Sequence, residues 1–176
     1  MVQGPFFADR VHCGAMKRIV LVLVTCAVAG PLHAEPVTTI PPGYRDWKLI
    51  TVSREAGPQD DIRAILGNDQ AVAAARGGKG RYPDGAIIAR VAWELVSSAE
   101  NDKAFGRKQS SVAGAPKNGV QFMVKDSKKY AATGGWGYGQ FAEGSGKPAG
   151  EAVMRTCFPC HQQVKDRDFV FNRYSP

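Results

Sequence analysis

Five consecutive residues near the end of the chain, Cys157-Phe158-Pro159-Cys160-His161, have the types and the spacing for covalent and metal chemistry together. Two thiols separated by two residues can reach the two vinyl groups on one porphyrin edge and form thioethers. The adjoining imidazole then points at the iron as its axial ligand. The pattern is therefore that of a haem c attachment site, with one haem for its single copy. Three other chemistries use parts of the same motif. A structural zinc site needs four protein ligands, and this segment has three of the usual kind. A dithiol redox pair would follow a strand early in a βαβ pattern, a context missing here. A structural disulfide between Cys157 and Cys160 is the plainest alternative. The His at the end of the motif, joined to an export signal at the other end of the chain, favours haem.

That signal also simplifies the inventory of ligands. The chain has 176 residues, with four Cys and three His. From Met16 it reads MKRIVLVLVTCAVAGPLHA. Lys17 and Arg18 form a positive start, Ile19 to Gly30 an apolar run and Leu32-His33-Ala34 a cleavage site, as in a secretory signal peptide. The apolar run is short for a bilayer core about 30 Å thick. No second run of that kind follows, so the expectation is a leader lost on export to the periplasm, with no membrane association afterwards. Residues 1–15 precede a complete signal and point to a start at Met16. Cys26 as a lipid anchor is disfavoured, because it lies inside the apolar run and Thr25 stands where a small residue is needed. Cleavage after Ala34 removes Cys13, Cys26, His12 and His33, leaving two Cys and one His, all in the motif.

One haem with one His makes the opposite face of the iron the functional question. Beyond residue 34 the methionines are Met123 and Met154. Met154 is too near the motif to reach the opposite face. Met123 is the candidate sixth ligand of an electron-transfer cytochrome, although a lone Met on a strand is more often core. The expectation is an iron open to a small ligand. Charge excludes another class of function. Residues 1–34 hold Arg10, Lys17, Arg18 and Asp9, so removing them lowers the net charge from +7 to +5. The basic residues are scattered rather than clustered beside aromatics, which fits solubility and docking to an acidic redox partner, not nucleic-acid binding.

The elements that must position the motif are mostly strands. YRDWKLITVSR (44–54) alternates as a strand does, and 61–66 is a short apolar segment. Asn68 or Asp69 caps a helix through QAVAAAR, stopped by Gly77-Gly78. The turn at Pro83-Asp84-Gly85 launches AIIARVAWELV, the best strand of the chain. There Ile87, Ala89, Val91, Trp93 and Leu95 form the core face, and Arg90 lies on the other with Ile88, Ala92 and Glu94, toward solvent or a polar cavity. Residues 97–118 are polar and predict a long loop or irregular hairpin connection. Residues 120–125 form a strand with Val120, Phe122 and Val124 opposite Gln121 and Met123. Asp126 or Ser127 caps a short helix over SKKYAAT, WGYGQFA is a strand, 151–164 is the helix bearing the motif, and DFVFNRY closes the chain in extended form. The fold class is mainly β, within α+β: one antiparallel β-sheet domain over 44–176 with a few short helices and a C-terminal haem-attachment helix, behind a Pro-rich lead-in at 35–43.

YRDWKLITVSR, DIRAILGN, YPDGAIIARVAWE, VKDSKKYAATGGWGYGQF, CFPCH and DFVFNRY, taken in this order, resemble the cytochrome P-460 family and its gas-binding relatives, the cytochromes c-prime-beta. The four-helix cytochromes c-prime also carry a late motif, but they would show long helical periodicity. The resemblance implies an antiparallel β fold, a homodimer and a periplasmic haem open on its distal side. Enzymatic members oxidise hydroxylamine and handle nitric oxide, using a Lys bonded to the porphyrin and a nearby distal Glu. Cys157, Cys160 and His161 match the family motif, and Arg63 matches an Arg expected in the distal pocket. Arg90 stands where the cross-linking Lys would be, and Gln121 where the Glu would be. A guanidinium is a far poorer nucleophile than an amine, so the cross-link is expected to be absent. Gln121 can hydrogen-bond a ligand but cannot accept a proton as a carboxylate does. The plain alternatives are a solvated strand residue for Arg90 and a surface amide for Gln121.

Overall fold

AIIARVAWELV becomes the middle strand of the fold. The computed structural model describes Met1 and residues 35–175, so the expected upstream extension, signal peptide and start at Met16 lie outside the described residues. Five strands, β1 (Lys48–Glu55), β2 (Asp61–Gly67), β3 (Ile87–Ser97), β4 (Ser111–Lys125) and β5 (Trp136–Phe141), form one antiparallel sheet in sequential order. Helix α1 (Asp69–Arg76) joins β2 to β3, α2 (Ala99–Phe105) joins β3 to β4, and α3 (Glu151–His161) follows β5. Among the described residues no helix is long and apolar enough to cross a membrane.

Both faces of the sheet are covered, which corrects the expectation of a single core face on β3. Ala89, Val91, Val120, Phe122 and Phe141 form one cluster, covered by Val37, Ile40, Tyr44 and Trp47. The Pro-rich lead-in does this work: the N–H of Val37 donates to the Tyr138 carbonyl at 2.8 Å and runs the segment along β5. Ile65, Ile88, Met123, Trp136 and Tyr138 form a second cluster on the opposite face, where Met154, Cys157 and Phe158 of α3 pack against it. A sheet covered on both sides lacks the simple in-out pattern of a half-exposed one. Ile88 and Ala92 are therefore as buried as Ala89 and Val91.

Two local readings also differ, and a third is refined. Residues 97–118 take the second of the two expected forms, an irregular hairpin connection, and are more ordered than a loop: Ser98 caps α2 by accepting from the Asn101 N–H, Gly106 ends it in the left-handed region, and β4 already begins at Ser111. Its early part pairs through Leu95↔Ala113 and Val96↔Val112, with register shifts on both sides of Trp93↔Pro116 that break the period-two signal. SKKYAAT forms turns and one 3-10 turn (Ala131–Thr133) instead of a helix. There Asp126 accepts from the N–H groups of Lys128 and Lys129 in an Asx turn, which competes with helix formation. DFVFNRY starts with a tight turn at Asp168 and Phe169 before it extends.

Asn68 caps α1, and its side chain does more than cap. Its Oδ1 accepts from the N–H groups of Ala71 and Ile87, at 3.0 and 3.1 Å, and its Nδ2 donates to the Gly85 carbonyl at 2.8 Å. It ties the helix start to the start of β3. Asn68→Ala is expected to cost about 2 kcal/mol, one cap plus two hydrogen bonds. Chemical denaturation measures this, and Asn68→Asp, which keeps the acceptor, should recover about half.

Candidate haem site

Helix α3 is held to the sheet by residues three and four apart. Met154, Cys157 and Phe158 share one side of the helix and meet the sheet cluster, which places His161, one turn beyond Cys157, against the sheet as well. The Phe158 ring lies 6.4 Å from that of Tyr138 and 5.8 Å from that of Phe169. Pro159 falls in the last turn, where the helix runs on into the 3-10 segment Gln162–Arg167. Cys157 is half-buried, Cys160 is exposed, and both are free thiols. The structure thus does not form the disulfide alternative.

His161 packs between Tyr138 and Phe171, with ring centroids 5.0 and 5.2 Å away. Its Nδ1 lies 2.7 Å from the Phe169 carbonyl oxygen. A carbonyl can only accept, so Nδ1 carries the proton and Nε2 keeps a free lone pair. Burial pulls the pKa of His161 below its ordinary value, and the bond to Phe169 opposes this in part. The imidazole is therefore neutral at neutral pH, as a metal ligand must be.

On the same sheet face lies a polar network that contains all three distal candidates. Register pairs Arg63 with Ala92, Ile65 with Arg90, Arg90 with Gln121, and Gln121 with Gln140, and directly opposed residues share a face. Asp61, with no exposed surface, joins the arginines. Its Oδ1 accepts from Arg63 Nε at 2.7 Å, and its Oδ2 accepts from Arg90. Arg90 also donates to Gln121 Oε1 at 3.2 Å, and Gln121 Nε2 donates to Gln140 Oε1 at 2.8 Å. Arg63 has a second partner in Glu55, 3.3 Å from its NH1. Only 13 and 12 per cent of the Arg63 and Arg90 side chains are exposed, so Arg90 is not the solvated strand residue of the plain alternative. Burial, and then repulsion from Arg63, lower the pKa of Arg90, while Asp61 and Glu55 raise it. A guanidinium starts so high that it stays charged.

Met123 is two residues beyond Gln121 on this face and is buried in the apolar cluster that receives α3. It packs as a core methionine. Asp61, Gln140 and Tyr138 were not singled out from the sequence. Asp61 had one available signal: in Asp61-Ile62-Arg63, residues two apart on a strand put opposite charges on one face.

A porphyrin needs apolar walls, thiols on one edge, an imidazole with a free nitrogen and hydrogen-bond donors around it. This face has each of them. It also leaves two buried polar atoms without a partner among the described residues, Arg63 NH2 and the Tyr138 hydroxyl. Such atoms are costly unless something satisfies them, and the donor set fits a haem.

A C-x-x-C-H helix packed on an antiparallel sheet, with a neutral, oriented imidazole, defines a c-type haem protein. The family model for Cytochrome P460 matches residues 41–172, and the chain belongs to the cytochrome P460 family. Proteins of this family bind a covalently attached haem c, so this chain is a haem c cytochrome of that type. No curated protein matches the chain.

Proposed function

We propose that this protein is an exported, periplasmic mono-haem cytochrome that binds or oxidises a small nitrogen compound, nitric oxide or hydroxylamine, on the haem face opposite His161. Cys157 and Cys160 make the thioethers, His161 ligates through Nε2, and Arg63, Arg90 and Gln121 face the ligand. One observation carries the reading: Asp61 ties both arginines into a network with Gln121, on the sheet face where the motif helix packs.

When bound, the haem supplies an iron that takes up the ligand and exchanges electrons. The chain's own residues orient and neutralise. Arg63 NH2 is a buried donor without a protein partner, ready for a ligand lone pair. The Gln121 amide is tied at both ends, by Arg90 and by Gln140, so its orientation is set before a ligand arrives. Neither oxygen of Asp61 is free of a guanidinium, and Gln121 cannot take a proton, so the network holds a ligand better than it removes protons. This favours ligand binding over rapid hydroxylamine oxidation. Without a Lys at position 90, the porphyrin carries no cross-link. The modest positive charge suits an acidic redox partner, and a homodimer is the assembly the resemblance implies.

The decisive experiment joins spectra to mass. An intact mass of apoprotein plus one unmodified haem, an ordinary Soret band, and ferrous binding of CO and NO are expected. A strongly red-shifted ferrous band would mean a cross-linked porphyrin, and failure of the ferrous protein to bind CO would restore a six-coordinate electron carrier. Arg63→Ala tests the pocket. A hydrogen bond from a charged donor contributes about 1.5–3 kcal/mol, so the dissociation constant for hydroxylamine should rise roughly tenfold or more. An unchanged constant removes Arg63 from the site.

A further inference from the structure

Asp168 and Phe169 are consecutive non-glycine residues in the left-handed region, with φ of 51° and 64°. Asp tolerates this conformation, but a bulky Phe has to be held there. The turn has one evident result: it brings the Phe169 carbonyl to Nδ1 of His161, at 2.7 Å.

What holds the turn is a buried ion pair that the haem reading does not use. Lys125 and Asp168 have side chains only 10 and 11 per cent exposed and pair at 2.6 Å. Lys125 also donates to the Gly134 carbonyl at 3.1 Å and lies 4.9 Å from the centre of the Trp136 ring. Asp168 accepts from the Tyr82 backbone N–H at 2.8 Å and faces Trp136 Nε1 at 3.4 Å. The Phe169 ring lies on Gly134, where a Cβ would fall 2.1 Å from it. Three distant parts of the chain thus grip one carboxylate, and the next residue's carbonyl meets the histidine.

We infer that Asp168 is a positioning residue for the haem iron, holding the Phe169 carbonyl against His161 and so setting the orientation and basicity of the imidazole. The inference rests on His161 as the axial ligand. A strong Nδ1–H···O bond makes the ring more electron-rich at Nε2, which strengthens the bond to iron and favours the ferric state.

The test is the iron–histidine stretching band of the ferrous holoprotein, by resonance Raman, together with the reduction potential. In Asp168→Ala the band should shift down and the potential up, with the thioethers intact. Asp168→Asn, which tolerates the left-handed region and still accepts from Tyr82, should shift less, in the same direction. Loss of a charge alone raises the potential but leaves the band in place, so the band separates positioning from electrostatics. Asp166→Asn, a nearby charge loss outside the network, should leave the band unmoved. If Asp168→Ala does not fold, Asp168→Asn carries the test. A wild-type band in the folded Asp168 variants overturns the inference. A ferrous wild-type protein that binds CO, and so has an open sixth position, yet shows no iron–histidine band before CO is added overturns the His161 assignment instead, and the inference with it.

Discussion

Asp61→Ala should destabilise the protein by about 3–5 kcal/mol, the usual cost of breaking a buried ion pair by removing one partner. With a urea dependence of about 2 kcal/mol per M, the midpoint falls by roughly 2 M. Asp61 has no exposed surface, and its two oxygens are shared between Arg63 and Arg90. Deleting it leaves two guanidinium groups buried on one sheet face, close enough that Arg63 already depresses the pKa of Arg90. Glu55 pairs with Arg63 and also favours the charged form of Arg90, but it is half-exposed, so its help is screened. The double variant Asp61→Ala/Arg90→Met separates the charge effect from the lost packing. Removing the second unpaired charge should recover part of the lost stability, so the two changes are not additive. A single Asp61→Ala variant within 1 kcal/mol of wild type would show that water or a rearranged arginine already neutralises the site.

Replacing both Cys157 and Cys160 by Ser should abolish covalent haem, the largest functional effect expected here. A denatured sample of the double variant should show no haem-linked peroxidase staining, whereas each single variant keeps one thioether and stains. His161→Ala separates attachment from ligation: it should stain like wild type yet lose the low-frequency iron–nitrogen band and bind exogenous imidazole. Retained staining in the double Ser variant would contradict the motif reading. Packing against the sheet cluster half-buries Cys157, and this burial raises the pKa of its thiol.

These effects lie on the two halves of one sheet face, and the sequence made them legible to different degrees. The motif was readable because its chemistry is local. Thiol, thiol and imidazole lie within one turn of each other whatever the fold, and the resemblance spans segments that the family model also covers. The cap at Asn68 and the strand from Ile87 were readable for the same reason, as each rests on spacing within a few residues. Arg63, Arg90 and Gln121 were singled out, but the sequence left solvent and cavity open for Arg90.

Only the tertiary structure decided that question, because it depends on pairing between strands far apart in the chain. Alternation says which residues of one strand share a face. It does not say that Arg90 lies opposite Gln121, or that Asp61 lies beside both arginines. The same limit hid the second core face, which exists because the lead-in covers one side of the sheet and α3 the other. It also hid the start of β4, where bulges around Pro116 erase the period-two pattern that marks a strand. Asp168 is the clearest case. In the sequence it is one acid in an acidic and basic run, DRDF, and only its contacts with Tyr82, Lys125 and Trp136 give it a place beside the histidine. The sequence by itself determined the cofactor's anchor, because covalent attachment needs only neighbouring residues. The polar network of Asp61, Arg63, Arg90 and Gln121 was decided by the sheet, because its members meet only when distant strands pair.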